Sequence, residues 1–229
     1  LFFFCEDNLL MRCNTNGGIT MIKSTNDFCR IRLQGVVISM SVSSKASRVR
    51  IVTDGEKGKE SNLPEIIVYS SALLKGISYG TKITVICHAQ MANVRQRDGS
   101  YKPNTILVAD IIRIAPRRLL EYFDPGIILG DEGGIVEDIN EMVVIGKIVN
   151  SVEYNGVVHI RILVEVKEQT RQCDISCFGR QAEFVNLLEN GTKIACVGYV
   201  STNKKEINGE TKYYQNLVCR DIAVVNLAE

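Results

Sequence analysis

Apolar and polar residues alternate with a period of two along most of this chain, the signature of half-buried β-strands. From Phe28 to Met40, Cys29, Ile31 and Leu33 point one way and Phe28, Arg30, Arg32 and Gln34 the other. Arg48 to Val52 repeats the pattern, with Val49 and Ile51 opposite Arg48 and Arg50. Glu65 to Tyr69 is a short apolar strand, and Ser71 to Ile77 predicts a brief helix stopped near Gly76 and Gly80. Thr81 to Val94 and Asn104 to Ile114 predict a long hairpin that turns through Asp98-Gly99. Further strands are predicted at 142–150, 157–166 and 172–178, then a helix at 181–188, then strands at 193–203 and 212–225.

The second half of this series echoes the first at a spacing of about 110 residues. Tyr69-Ser70, a helical stretch and Gly80-Thr81-Lys82-Ile83 return as Phe178-Gly179, a helical stretch and Gly191-Thr192-Lys193-Ile194. Asp98-Gly99-Ser100-Tyr101 is echoed by Asn208-Gly209 and Tyr213-Tyr214, and Leu107-Val108 by Leu217-Val218. Each unit therefore runs strand, strand, strand, helix, strand, strand, which is the order of an OB fold. The expected fold class is all-β, as two tandem five-stranded Greek-key barrels. The units span 26–115 and 140–229. Between them, 116–139 contains Pro116, Pro125, Gly126, Gly130, Gly133 and Gly134 and reads as a linker. Residues 1–25 form an N-terminal extension, with Met21 the expected natural start after Gly17-Gly18.

Charge becomes informative once it is divided along the chain. The total is +1, but residues 21–115 carry 14 Lys and Arg against 7 Asp and Glu, while 116–138 carry 2 against 6. A basic unit, an acidic connector and a nearly neutral unit are concealed in the sum. No apolar run approaches the roughly 20 residues of a membrane-spanning helix, and residues 1–20 lack the positive flank and long apolar centre of a secretory signal. Cys29, Cys87, Cys196 and Cys219 lie in apolar strands, where cysteine acts as a small hydrophobe. Cys173 and Cys177 have no partner pair at zinc-ribbon spacing, and the chain has 2 histidines, so no metal or cofactor is expected. A reduced, cytoplasmic protein is the simplest expectation.

The polar faces supply the candidate chemistry. Gripping an unpaired polynucleotide takes cations along its backbone and flat side chains for its bases. On the first two strands Phe28, Arg30, Arg32, Arg48 and Arg50 are expected to share one barrel surface, with no acid between them in sequence. Lys57 and Lys59 follow in the next loop, and Arg95, Arg97, Tyr101 and Lys102 flank the long hairpin's turn. Tyr101 reads equally as a stacking platform and as a cross-strand aromatic. In the second unit His159 and Arg161 face away from Val158, Ile160 and Ile162, and Arg171, Lys204, Lys205, Tyr213 and Tyr214 are candidate contacts. Catalytic motifs of the phosphate-loop, nucleophile-elbow and zincin types are absent. His88 and His159 have no partner motif and read as structural, so an enzyme is not expected.

Phe178-Gly179-Arg180-Gln181-Ala182-Glu183, Leu188-Glu189-Asn190-Gly191-Thr192 and Val197-Gly198-Tyr199 with Thr202 resemble the bacterial-type single-stranded DNA-binding proteins (SSBs). That family shows an FGK-x-AE strand-to-helix junction, an L-x-x-G helix end and a V-x-G fourth strand. The first unit matches through Tyr69, Leu73-Leu74 and Gly80-Thr81, and together the resemblance covers about 190 residues. It implies single-stranded DNA as the partner and places Tyr69 and Phe178 where the family has a stacking aromatic. It also implies a homodimer, because relatives with one barrel per chain generally assemble four. The chain departs from the family in having no Trp, with Gln172 and Lys205 near the usual tryptophan positions. It ends Asn226-Leu227-Ala228-Glu229, without the family's acidic tip.

Two other functions fit the same pattern. An OB pair could scaffold a replication or conjugation complex with weak or no DNA binding, which the missing tryptophans and small net charge favour. RNA is the other alternative ligand, since no sequence feature reads the 2′-hydroxyl.

Overall fold

A computed structural model describes residues 26–53, 62–95, 99–115, 139–207 and 210–225, apart from the side chains of residues 95, 207 and 210–212. It also describes the backbone of 2–5 and 9–12. The last two segments, β1 (Phe2–Cys5) and β2 (Leu9–Arg12), form a short antiparallel pair that the alternation did not predict. Met21 and the linker, apart from residue 139, lie outside the described residues.

The first unit comprises β3 (Phe28–Ser41), β4 (Ser47–Val52), β5 (Glu65–Val68), a single 3₁₀ turn (Ser71–Leu74), β6 (Lys82–Arg95) and β7 (Tyr101–Ile114). The second comprises β8 (Asn140–Tyr154), β9 (Val157–Val166), β10 (Gln169–Phe178), α1 (Arg180–Val185), β11 (Lys193–Ile207) and β12 (Glu210–Val224). The strand order is as expected, but both helical elements are shorter than their patterns suggested. The first stops where Gly76 and Gly80 adopt positive φ. Pairings β3–β4–β5–β7–β6–β3 and β8–β9–β10–β12–β11–β8 close each unit on itself. The parallel contacts, Ile66 with Leu107 and Ile175 with Leu217, fall at the same place in each.

Closure needs the first strand of each unit to bend tightly, and a glycine lets it. A Cβ on Gly35 would strike the carbonyl of Val52, and one on Gly146 that of Leu163. Both glycines sit at one repeat position, since Gly35 pairs with Ile83 and Gly146 with Ile194. Inside, the alternating residues are fully buried. Ile31, Leu33, Ile51, Ile66, Ile83 and Leu107 in one unit and Met142, Ile148, Ile160, Ile162 and Ile175 in the other belong to one continuous core. Burying each contributes about 1.5–3 kcal/mol.

The two units are not beads on a linker. Residues 28–33 of β3 pair antiparallel with 140–145 of β8, so one sheet of ten strands runs through both. In that ladder Ile31 stands opposite Met142, its own repeat equivalent, which is the signature of a two-fold relation between the units. Across the seam the Cys29 and Cys173 thiols interact, which lowers the Cys29 pKa and, with burial, raises that of Cys173. Among the described residues the cysteines are free thiols, no group of His, Cys, Asp and Glu could hold a metal ion, and no helix is long and apolar enough to cross a membrane.

Candidate nucleic-acid interface

In an OB fold the outer face of the second and third strands, with the loops flanking it, is the surface that receives oligonucleotides. On the first unit that face carries Arg48 and Arg50 from β4 and Glu65, Ile67 and Tyr69 at β5. On the second it carries His159 and Arg161 from β9 and Asp174, Ser176 and Phe178 from β10. The repeat maps one set onto the other: Tyr69 directly follows the third strand of its unit and Phe178 ends that of the other, and Arg50 and Arg161 both pair in register with an acidic residue. The two aromatic rings are 58% and 47% exposed, unusual for core residues and suited to flat contact with a base.

Both faces bind their arginines to carboxylates. Arg50 donates to Glu65 at 2.8 Å and Arg48 to the same carboxylate at 3.4 Å. Arg161 grips Asp174 through Nε at 2.7 Å and through a terminal nitrogen at 2.9 Å. The hydrogen bond to Asp174 raises the Arg161 pKa further. His159 lies 3.1 Å from the Ser176 hydroxyl.

Each face is completed by the other unit. Residues 199–207 and 210–216 extend the β11–β12 hairpin past its own closed sheet, over about 30 Å at strand spacing. One side of this arm lies on the first unit. Thr202 Oγ1 accepts from the Leu63 N–H at 2.7 Å, Gln215 Oε1 accepts from the Glu65 N–H at 3.0 Å, and the Arg50 guanidinium sits 4.9 Å from the Tyr213 ring centre. The β6–β7 arm reciprocates, with Thr105 Oγ1 accepting from the Asp174 N–H at 2.9 Å. Tyr213 therefore serves the first unit's face, whereas its sequence position had assigned it to the second.

The architecture has close counterparts among solved structures. The wild-type single-stranded DNA-binding protein of Thermus aquaticus superimposes with a TM-score of 0.61 at 10% identity, over 90% of this chain and 96% of that one. A deletion mutant of that protein gives 0.59 at 13% identity, over 90% and 98%. The chain thus shares the tandem OB fold of that protein. No family model matches the chain, and no curated protein matches it either.

Within this tandem OB fold the expected row of four arginines divides. Arg30 and Arg32 lie on the half of β3 that pairs with β8 and β6, whereas Arg50 and Arg48 stand opposite Ser39 and Ser41, beyond a bulge. Arg32 and Ser39 are seven residues apart, about 23 Å along the strand. Alternation correctly put all four on outward faces, but the bend of β3 sends its two halves to different parts of the surface. Arg30 and Arg32 are exposed near the seam, Arg30 over the Phe28 ring at 5.2 Å and Arg32 in register with Glu141.

Of the remaining candidates, Tyr101 and Lys102 are exposed at the start of β7. Lys204 and Lys205 are exposed on the β11–β12 arm, with Lys205 5.7 Å from the exposed Tyr214 ring. Arg171 donates to Gln169 at 2.6 Å. Only the backbone of Arg95 is described, and Lys57, Lys59 and Arg97 lie outside the described residues. The pattern missed Glu65 and Asp174, although both hold the same repeat position, and it missed the arm residues Thr105, Thr202 and Gln215. His88 is buried with Nδ1 2.8 Å from Asp110, in keeping with its structural assignment.

Proposed function

We propose that this chain binds single-stranded DNA with little sequence preference, without catalysing a reaction on it, and protects it during replication, recombination or repair. The observation that carries this reading is the pair of equivalent OB faces. Each sets an exposed aromatic ring, Tyr69 or Phe178, beside an arginine-bearing strand. Exposed rings take bases in stacks and arginines take phosphates, a combination that tolerates any sequence. Tyr101, Lys102, Lys204, Lys205, Tyr213 and Tyr214 on the arms extend the track, and a strand long enough to leave one face meets the Arg30–Arg32 patch.

The cysteines lying in apolar strands favour a reducing, cytoplasmic setting, and the family resemblance implies a homodimer presenting four OB units. Light scattering that returns one chain of 25.5 kDa instead of two would remove that part. The decisive experiment is fluorescence anisotropy with labelled oligo(dT), oligo(U) and duplex DNA across a salt series. Oligo(dT) binding that weakens steeply with salt supports the proposal, because phosphate contacts release counterions. Preference for oligo(U) would make RNA the ligand. The carboxylates that hold Arg50 and Arg161 favour the scaffold alternative, and absence of binding to all three ligands would favour it over DNA coating.

A further inference from the structure

We infer that Glu65 and Asp174 are built-in competitors of the polynucleotide, each holding the arginines of its face in the geometry that a backbone phosphate would use. This inference rests on the DNA-binding reading and specifies how that site is regulated. The arrangement occurs twice, at matched positions, from different residues. In each unit the first residue of the third-strand pairing to carry an acid stands opposite a second-strand arginine, Glu65 against Arg50 and Asp174 against Arg161. In each, the backbone N–H of that acid is tied down by a side chain from the opposite arm, Gln215 for Glu65 and Thr105 for Asp174. Glutamate with glutamine and aspartate with threonine achieve the same placement by different chemistry.

A carboxylate and a phosphate present arginine with the same pair of acceptor oxygens, and the planar fork accepts either. Arg161 already spends two donors on Asp174, at 2.7 and 2.9 Å, and Glu65 takes both Arg48 and Arg50. A strand laid across either face must therefore take the arginines from the acid. Solvent access permits the exchange. Arg48 is 60% and Arg50 28% exposed, with Glu65 at 31%, and Arg161 is 34% exposed with Asp174 at 39%. Ion pairs this accessible are weak and screened by salt, so the acid tempers affinity without blocking it.

The test compares oligo(dT) binding by the full chain with that of Glu65→Gln, Asp174→Asn and the double variant, across a salt series. Glu189→Gln, an exposed acid outside both faces, controls for the loss of one negative charge. The face variants should bind more tightly than the Glu189 control, by about threefold or more at low salt, where charge effects are largest. Their dependence of log K on log salt should steepen by up to about 0.7 for each arginine released. Affinity and slope equal to those of the control, or weaker binding by a variant with a native circular-dichroism spectrum, would overturn the inference. A second measurement needs no substitution: the side-chain carboxyl carbon resonances of Glu65 and Asp174 should shift when the natural chain is saturated with oligo(dT), and unmoved resonances count against exchange. If the natural chain binds no oligonucleotide, the proposed function fails by itself. A double variant that then gains binding supports competition, and one that stays silent removes both.

Discussion

Replacing Phe178 by leucine separates the ring's flat surface from its bulk. The side chain is 47% exposed, so roughly half of it contributes packing and the other half is free to meet a base. Leucine keeps an apolar group on the packed side, and swaps of this kind usually cost less than about 1.5 kcal/mol of stability. What leucine cannot supply is a π face, and base–aromatic stacking is worth about 1–3 kcal/mol per base. At about 1.4 kcal/mol per factor of ten, affinity for oligo(dT) should fall about 5- to 150-fold. Tyr69→Leu probes the equivalent position, 58% exposed, on the other unit. If the two faces take different nucleotides of one strand, the double variant should lose the sum of the single effects to within about 0.5 kcal/mol. Anisotropy titration at fixed salt measures the loss, and urea denaturation of the same samples measures the stability. Unchanged affinity in both single variants, with the midpoint preserved, would refute the assignment of these rings as stacking platforms.

Arg30→Ala with Arg32→Ala should leave binding of an oligonucleotide of about eight nucleotides, within one OB unit's span, unchanged to within about twofold. The same pair should weaken binding of a strand several times longer, and a loss with the short ligand would put these arginines back on the primary face. Thr105→Val keeps the volume but strips the Asp174 N–H of its acceptor, which should cost about 1–3 kcal/mol in chemical denaturation. Because a single ladder and one core run through both units, urea should unfold them in one transition seen alike by near- and far-ultraviolet circular dichroism. Two separated transitions would contradict the shared sheet. Gly146→Ala drives a Cβ into the Leu163 carbonyl and should cost at least about 1–3 kcal/mol by the same assay, unlike an alanine at the exposed Asn190.

Alternation and repetition along the chain were enough to specify the strand order, the duplicated OB unit and the outward direction of Arg30, Arg32, Arg48, Arg50, His159 and Arg161. These are local properties: a side chain's face follows from its parity in a strand, and a period of two is written into neighbouring residues. The repeat set Tyr69 and Phe178 at equivalent positions, and the family resemblance implied the stacking role there. Parity does not record which distant strand lies alongside. The bend of β3 at its bulge parts Arg32 from Arg50, and that bend depends on contacts with β4, β6 and β8 together. The crossing of the arms, which gives Tyr213 and Gln215 to the first unit and Thr105 to the second, arises from the pairing of Ile31 with Met142, residues 111 positions apart. Glu65 and Asp174 were visible as acids in the sequence, but only the register of adjacent strands set them against arginines. Faces are decided residue by residue, whereas neighbours are decided by closure of the whole sheet, and there the tertiary structure had the final say.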